Sequence, residues 1–317
     1  MRQEIGEDQR RLLALCVIRD DHASIDWNLI AREAQFQNGL DRLWNGKIRE
    51  QSKAAEKAAP LLLRGIKNQK ELFERVDREL EIADKAGAKL ITVLDQNYPI
   101  NLRLIFNLPP FLFMRGEISD DDIKSVAVVG TRAASKEGLK QARIMSSMLT
   151  EQKITVISGL ARGIDTVAHR AALDEGGRTI AVLGNGIINC YPPENRDLLE
   201  EITDKGAVVS QFWPTRSPGK DTFPRRNVVT SGLSQGTVVI EASATSGAKM
   251  QARLALEHGK KVFLFDPLVV NQPWAKDYID KKGAIPVRNV DEAMGYIAKP
   301  ENIKLKVGLR EQLTLAF

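Results

Sequence analysis

Between positions 125 and 265 short apolar runs alternate with longer amphipathic ones. Ser125 to Val129, Ile154 to Ile157, Arg178 to Leu183, Ala207 to Gln211, Gly236 to Glu241 and Lys261 to Phe265 are rich in apolar residues. Such near-continuous runs suit strands covered on both faces. The segments between them have helical spacing; in Gly138 to Gln152 it falls on Leu139, Ala142, Ile144, Met145, Met148 and Leu149. Helices are also expected over Asp165 to Leu173, Arg196 to Ile202, Val228 to Ser234 and Ser246 to Glu257. The alternation predicts an α/β fold with a mostly parallel sheet covered by helices. Right-handed crossovers then gather the strand-to-helix turns along one edge of that sheet.

The first 88 residues follow another pattern. Leu12, Leu13, Leu15 and Val17 begin one apolar face, and Asp26 is a candidate cap for a second helix. Gln51 to Ala86 is rich in Ala, Glu, Lys, Arg and Leu, the composition of a helix with a solvated charged face. Strands are expected at Lys89 to Leu94 and Phe111 to Met114, separated by the turn residues Asn97-Tyr98-Pro99 and Leu108-Pro109-Pro110. Asp120-Asp121-Asp122 marks a boundary before the alternating region. The expected organisation is a smaller helical N-terminal domain (1–88), a Rossmann-type domain (89–298) and a short C-terminal tail (299–317).

Composition narrows the class. Of the 317 residues, 43% are hydrophobic, enough for a sizeable core. Lys+Arg outnumber Asp+Glu by 46 to 41, a modest excess compatible with a polyanion partner if the basic residues cluster. Cys16 and Cys190 stand far apart in unrelated contexts, which argues against a disulfide framework or a zinc site and fits a reducing cytoplasm. No apolar run approaches the roughly 20 residues of a membrane span, and the charged start does not read as a secretory signal.

Four turns share one logic: a strand stops, small residues follow, and a helix starts. They are Gly130-Thr131-Arg132, Ser158-Gly159-Leu160-Ala161-Arg162-Gly163, Gly184-Asn185-Gly186 and Ala244-Thr245-Ser246-Gly247. Glycine lets the backbone approach an anion, and helix N-terminal amides supply donors. Phe223-Pro224-Arg225-Arg226-Asn227 then adds two arginine forks, an amide and a ring, reading as a loop between a proline-rich segment and an apolar one. Forks match phosphate oxygens and a ring can stack on a base. Alone it is an exposed basic turn; beside the four turns it points to a phosphate-bearing ligand.

Other chemistries have less behind them. No G-x-x-x-x-G-K-[ST] occurs, and Gly159 and Gly163 do not complete G-x-G-x-x-G, which disfavours P-loop hydrolysis and a standard dinucleotide site. His169 lies four positions after Asp165, on one helical face, as either an acid-base pair or a structural contact. His258 precedes Gly259 at a helix end, where it complements the dipole; His22 carries no motif. Glu241 ends a strand and is either a base or a cap for the following turn. No cofactor and no metal site is expected.

These segments resemble the DprA/Smf family of DNA-processing proteins. The resemblance rests on Val126 to Arg132, Ser158 to Asp165 with Ala168-His169, Gly177 to Gly184, Tyr191 to Asn195, Phe223 to Asn227, Gly232 to Ser234, Val239 to Ala242 and Ser246-Gly247. It covers about residues 90 to 290, in order, with Asn97-Tyr98-Pro99 and Leu108-Pro109-Pro110 ahead of the sheet. It implies an extended Rossmann-like fold, non-sequence-specific binding of single-stranded DNA, a homodimer, and delivery of DNA to a RecA-type recombinase. By position, Arg132, Arg225, Arg226 and Asn227 would meet phosphates, and Phe223 would stack on or wedge a base. Gly130, Thr131, Ser158, Gly159, Ser246 and Gly247 would line the pocket, with Arg162 and Lys249 supplying further charge.

The chain departs from the family pattern at Val228, usually another arginine, and at Gln211, usually acidic. Lys249 falls in a stretch that is usually apolar or hydroxylic, and Phe265-Asp266-Pro267 replaces Pro-Gly. A winged-helix-like module of many members is not expected after Lys299. A nucleotide sensor or phosphoribohydrolase-like enzyme is the alternative on the same fold; Ser243 to Gly247 lacks that group's PGGxGT turn. A scaffold that kept the fold and lost the ligand is the third reading.

Overall fold

The computed structural model describes residues 3–19, residues 24–288 and Glu292. Five helices come first: α1 (Glu7–Val17), α2 (Trp27–Ala34), α3 (Gly39–Trp44), α4 (Lys53–Gly65) and α5 (Gln69–Lys85). Asp26 caps α2 as expected, its Oδ1 accepting from the Asn28 amide at 2.9 Å. Arg10 on α1 pairs with Asp77 on α5 at 2.7 Å. The buried Glu33 carboxylate accepts from the Arg49 and Glu50 amides, each at 2.9 Å, and so fixes the chain entering α4.

The sheet begins with β1 (Lys89–Thr92), followed by α6 (Ile100–Arg103) and β2 (Phe111–Gly116). The alternating region supplies β3 (Ser125–Val129), α7 (Lys136–Glu151), β4 (Thr155–Ser158), α8 (Ile164–Asp174), β5 (Thr179–Val182), α9 (Arg196–Lys205) and β6 (Ala207–Ser210). It continues with α10 (Thr222–Leu233), β7 (Gly236–Val239), α11 (Gly247–Glu257) and β8 (Lys261–Phe265). Three further elements follow: α12 (Asp266–Asn271), α13 (Pro273–Lys282) and β9 (Ile285–Val287).

All nine strands join one sheet in the order β1-β2-β6-β5-β4-β3-β7-β8-β9. From β6 to β9 every pairing is parallel. The β1–β2 and β2–β6 pairings are antiparallel, an edge that the apolar pattern does not foretell. The chain winds outward from β3 through β4, β5 and β6, then returns to the other side of β3 with β7 and β8. Strand order therefore reverses between β3 and β7, the place where open α/β sheets bind ligands beyond the carboxyl ends of their strands.

Two findings revise the sequence reading. Helix α10 begins at Thr222, so Phe223-Pro224-Arg225-Arg226-Asn227 forms its first turns and is not a loop. A further short strand that the apolar pattern does not mark, β9, pairs beside β8. No helix among the described residues is long and apolar enough to cross a membrane.

The N-terminal helices share a hydrophobic core with the sheet. Trp27 on α2 meets Phe111 on β2 at 5.1 Å between ring centroids, and Phe111 meets Trp213 after β6 at 5.0 Å. Gln3 caps the free edge: its amide donates to the Leu90 carbonyl and accepts from the Leu90 amide, at 2.8 and 2.7 Å. This gives an edge strand the partner it would otherwise seek in another chain. Asp122, at the expected boundary, is buried and accepts from Thr155 Oγ1 at 2.6 Å and Arg178 Nη2 at 2.9 Å.

Asn101 on α6 ties the early segment to the sheet. Its buried Nδ2 donates to the carbonyls of Ile123 at 2.9 Å and Leu233 at 2.8 Å. Leu233 has a second donor in Ser125 Oγ, so removing the amide strands mainly the Ile123 carbonyl. Asn101→Ala is expected to lower stability by about 2–3 kcal/mol, read as a lower urea midpoint with an unchanged slope.

Candidate nucleic-acid interface

A crevice of about 350 Å³ opens where the strand order reverses. The ends of β3, β4 and β7 and the first turns of α10 and α11 form its walls. Gly130, Thr131 and Arg132 come from the turn after β3, and Gly159 from the turn after β4. Phe223, Arg226 and Asn227 come from α10, and Ser246 and Gly247 from the start of α11. Nine of the thirteen residues singled out from sequence thus meet in one place.

The β4 turn is shaped by close contacts. A Cβ on Gly159 would stand 1.4 Å from Arg226 Nη1. Gly163 has φ +75°, and a Cβ there would meet the Thr131 carbonyl oxygen at 2.5 Å. Both positions therefore need glycine, the first for space and the second for space and conformation. Asp165 Oδ2 accepts from the Gly159 and Ala161 amides at 3.2 and 3.4 Å, holding the turn closed from inside.

Arg226 is the centre of the wall. Only 9% exposed, it donates through Nη1 to the Gly159 carbonyl at 2.6 Å and the Val182 carbonyl at 3.3 Å. Its Nε donates to Asn227 Oδ1 at 3.0 Å, and Asp165 lies 4.0 Å away. Burial pushes the Asp165 carboxyl up, with Arg226 and the two amides pulling it back. Asn227 in turn donates to the Gly247 carbonyl at 3.3 Å, joining α10 to α11.

The exposed rim carries stacking chemistry. The Arg132 guanidinium lies 4.9 Å from the centre of the Phe223 ring. Phe223 packs on Gly184, where a Cβ would come within 2.8 Å of the ring. Tyr191, 38% exposed, lies 6.1 Å from Phe223 between centroids. Sequence reasoning gave Tyr191 no contact role; its place in the Tyr191 to Asn195 motif was the available signal. Asn195 fixes that motif by donating to the Leu160 carbonyl at 2.9 Å.

Four expected site residues lie elsewhere. Ser158 is fully buried, and its hydroxyl donates to the Val128 carbonyl at 2.7 Å, so it braces β3 against β4. Arg162 is exposed but pairs with Glu194. Arg225 projects from another side of α10, 4.7 Å from the Trp27 ring and 5.1 Å from that of Phe212. Lys249 leans over Trp274 of α13 at 5.9 Å and does not line the crevice. Arg226 itself is committed to carbonyls, which makes it a wall before it is a phosphate ligand.

The alternative chemistries also find their places. Glu241 Oε2 accepts from the Ser135 amide and hydroxyl, each at 3.0 Å, so it braces the turn ahead of α7. His258 bridges Ser231 at 2.9 Å and Asn107 at 2.8 Å, a tie between α10 and the early segment more than a dipole complement. His169 is fully buried, with Nδ1 2.7 Å from Thr179 Oγ1. That hydroxyl donates its proton to the Val156 carbonyl, so His169 Nδ1 is the donor between them. The histidine is a structural contact and no partner to Asp165 in proton transfer. Gln211 donates to the Arg225 carbonyl on α10.

A family model described as DNA recombination-mediator protein A matches residues 89–297. The chain belongs to this family. Among family relatives it is 41% identical over 172 residues to the DNA processing protein DprA of Streptococcus pneumoniae (strain ATCC BAA-255 / R6), covering 54% of this chain and 61% of that one. It is 39% identical over 208 residues to protein Smf of Escherichia coli K12, covering 65% and 55%. The chain therefore matches less than two thirds of the length of these relatives. Its fold is similar to a crystal structure of S. pneumoniae DNA processing protein A, with a TM-score of 0.71 at 27% identity over 94% of this chain and 100% of that one. A Helicobacter pylori DNA processing protein A, described for its single-stranded DNA binding mode, has a TM-score of 0.59 at 23% identity, covering 66% and 94%.

Burial holds the His169 pKa down to about 3 from an ordinary 6.5, with Arg226 adding to the effect. The unfolded chain therefore takes up this proton first as pH falls. Its contribution is fully present above about pH 6.5 and is lost toward pH 3, by at most about 1.4 kcal/mol per pH unit. His169→Gln should flatten the decline of urea stability between pH 6.5 and 5, measured against wild type.

Proposed function

We propose that this protein binds single-stranded DNA in the crevice between β3, β4, β7, α10 and α11, reading phosphates and bases without sequence preference. The observation that carries the reading is the pairing of Arg132 with Phe223 at the rim of a glycine-walled crevice at the switch in strand order. Arg132 offers a fork to a phosphate, and the face of Phe223, or the nearby Tyr191, offers a platform to a base. The amides of Gly247 and Ala248 in the first turn of α11 offer further donors. Arg226 and Asn227 keep these groups in register.

Family membership supports a functional setting for this binding. As a recombination mediator, the protein would hand its strand to a RecA-type recombinase, in transformation, recombination or a mobile-element or defence process. A homodimer in the cytoplasm is part of the same reading. So is a division into a helical unit (1–88), a DNA-binding unit (89–298) and a tail (299–317); the tail lies outside the described residues.

Fluorescence anisotropy with labelled oligonucleotides tests the reading. Wild type should prefer single strands to duplex and weaken as salt rises. Phe223→Ala should cost about tenfold in affinity through the base left unstacked. Arg132→Ala should weaken binding and reduce the salt slope by about 0.7 for each phosphate that is no longer neutralised. Equal, weak binding to both DNA forms, unchanged in either variant, would sink the proposal.

A further inference from the structure

A second opening lies beside α10, between the N-terminal helices and the segment after β6. It is a cleft of about 580 Å³, a size typical of sites for small molecules. Four arginines line it: Arg19 after α1, Arg75 on α5, Arg216 after β6 and Arg225 on α10. Trp27 and Trp213 stand among them, with ring centroids 6.1 Å apart in an edge-on arrangement.

Its lining gathers positive charge. Among the described residues Asp26 is the one carboxylate that lines it, and it is engaged in capping α2, while Glu79 and Asp221 stand near the arginines as countercharges. Arg216 pairs with Asp221 at 2.7 Å. Among the described residues Arg19, Arg75 and Arg225 make no ion pair within 4.0 Å. Burial lowers the pKa of Arg75, with Arg19 adding to it and Glu79 opposing it; burial also lowers that of Arg225, opposed by Asp221 and reinforced by Arg216. Like charges drawn together at the mouth of a cleft oppose folding unless an anion joins them. Arg225 has a packing role between two rings. No packing of that kind ties down Arg216, whose side chain is 48% exposed.

Position links this cleft to the crevice. Phe223 and Arg225 belong to the same turn of α10, one lining the crevice and the other lining the cleft. A helix with its side chains is about 10–12 Å across, a span that a few nucleotides of a single strand cover. We propose that the cleft is a second contact for single-stranded DNA, where arginines hold phosphates of the strand as it leaves the crevice around the first turn of α10. This rests on the reading of the crevice as a single-strand site. It assigns the helical N-terminal region part of the binding surface, since Arg19, Trp27 and Arg75 belong to it.

Strand length tests the idea. An oligothymidine of about six nucleotides fills the crevice alone, and one of about 25 nucleotides reaches both sites. Arg75→Ala combined with Arg216→Ala should leave the short probe bound as in wild type. The long probe should bind about tenfold more weakly, with a salt slope lower by about 1.4 because two phosphates go unneutralised. Arg216→Glu alone, at an exposed position, should show the same length dependence if the double variant folds poorly. An unchanged affinity for the long probe, or an equal loss for both lengths, overturns the proposal. Failure of the crevice reading looks different: Arg132→Ala with Phe223→Ala would then leave the short probe unaffected.

Discussion

A buried arginine sets the geometry around which this protein is arranged. The Arg226 guanidinium reaches from α10 to the carbonyls that end β4 and β5, with Asp165 as the nearby countercharge. A charge taken from water is costly unless hydrogen bonds and an opposite charge replace its hydration. Here they do, and the arrangement fixes α10 against two strand ends. It also requires glycine at 159, because a Cβ would occupy the guanidinium's place. The same clamp seats Phe223 on Gly184, sets it beneath Arg132 and aims Asn227 at α11.

The clamp changes what a pair of adjacent arginines means. In an extended loop both could face one ligand. On a helix, neighbouring side chains diverge by about 100°. Arg226 therefore enters the sheet edge while Arg225 lies against Trp27 and Phe212. Pro224 made the segment look like a loop, yet proline is tolerated in a helix's first turn because the amide it lacks has no intrahelical partner there. Read correctly as helix, the motif separates into a wall, a rim and a second face.

Much of the sheet was legible because its strands are apolar on both faces and end in small residues. Those endings located the crevice, since parallel strands bring their carboxyl ends together. Other features have no local signal. The antiparallel edge depends on which strand β2 meets, and Lys249 depends on α13, whose Trp274 arrives from beyond the alternating pattern. Ser158 carries the same hydroxyl whether it faces ligand or backbone; only burial and the Val128 carbonyl assign it. Tyr191 reaches the rim through Asn195, whose amide attaches the preceding turn to the Leu160 carbonyl.

The N-terminal helices gain meaning from the same logic. Their apolar residues join the core of the sheet, and Trp27 closes on Phe111 and Trp213 at the antiparallel edge. A helical unit that only braced an edge could present any solvated charges on its outer surface. This one turns arginines toward the flank of α10, where they meet Arg216 and Arg225. Bracing explains the aromatic contacts and leaves the gathering of four arginines at one cleft unexplained. A strand that needs neutralising on both sides of a helical turn accounts for the arginines.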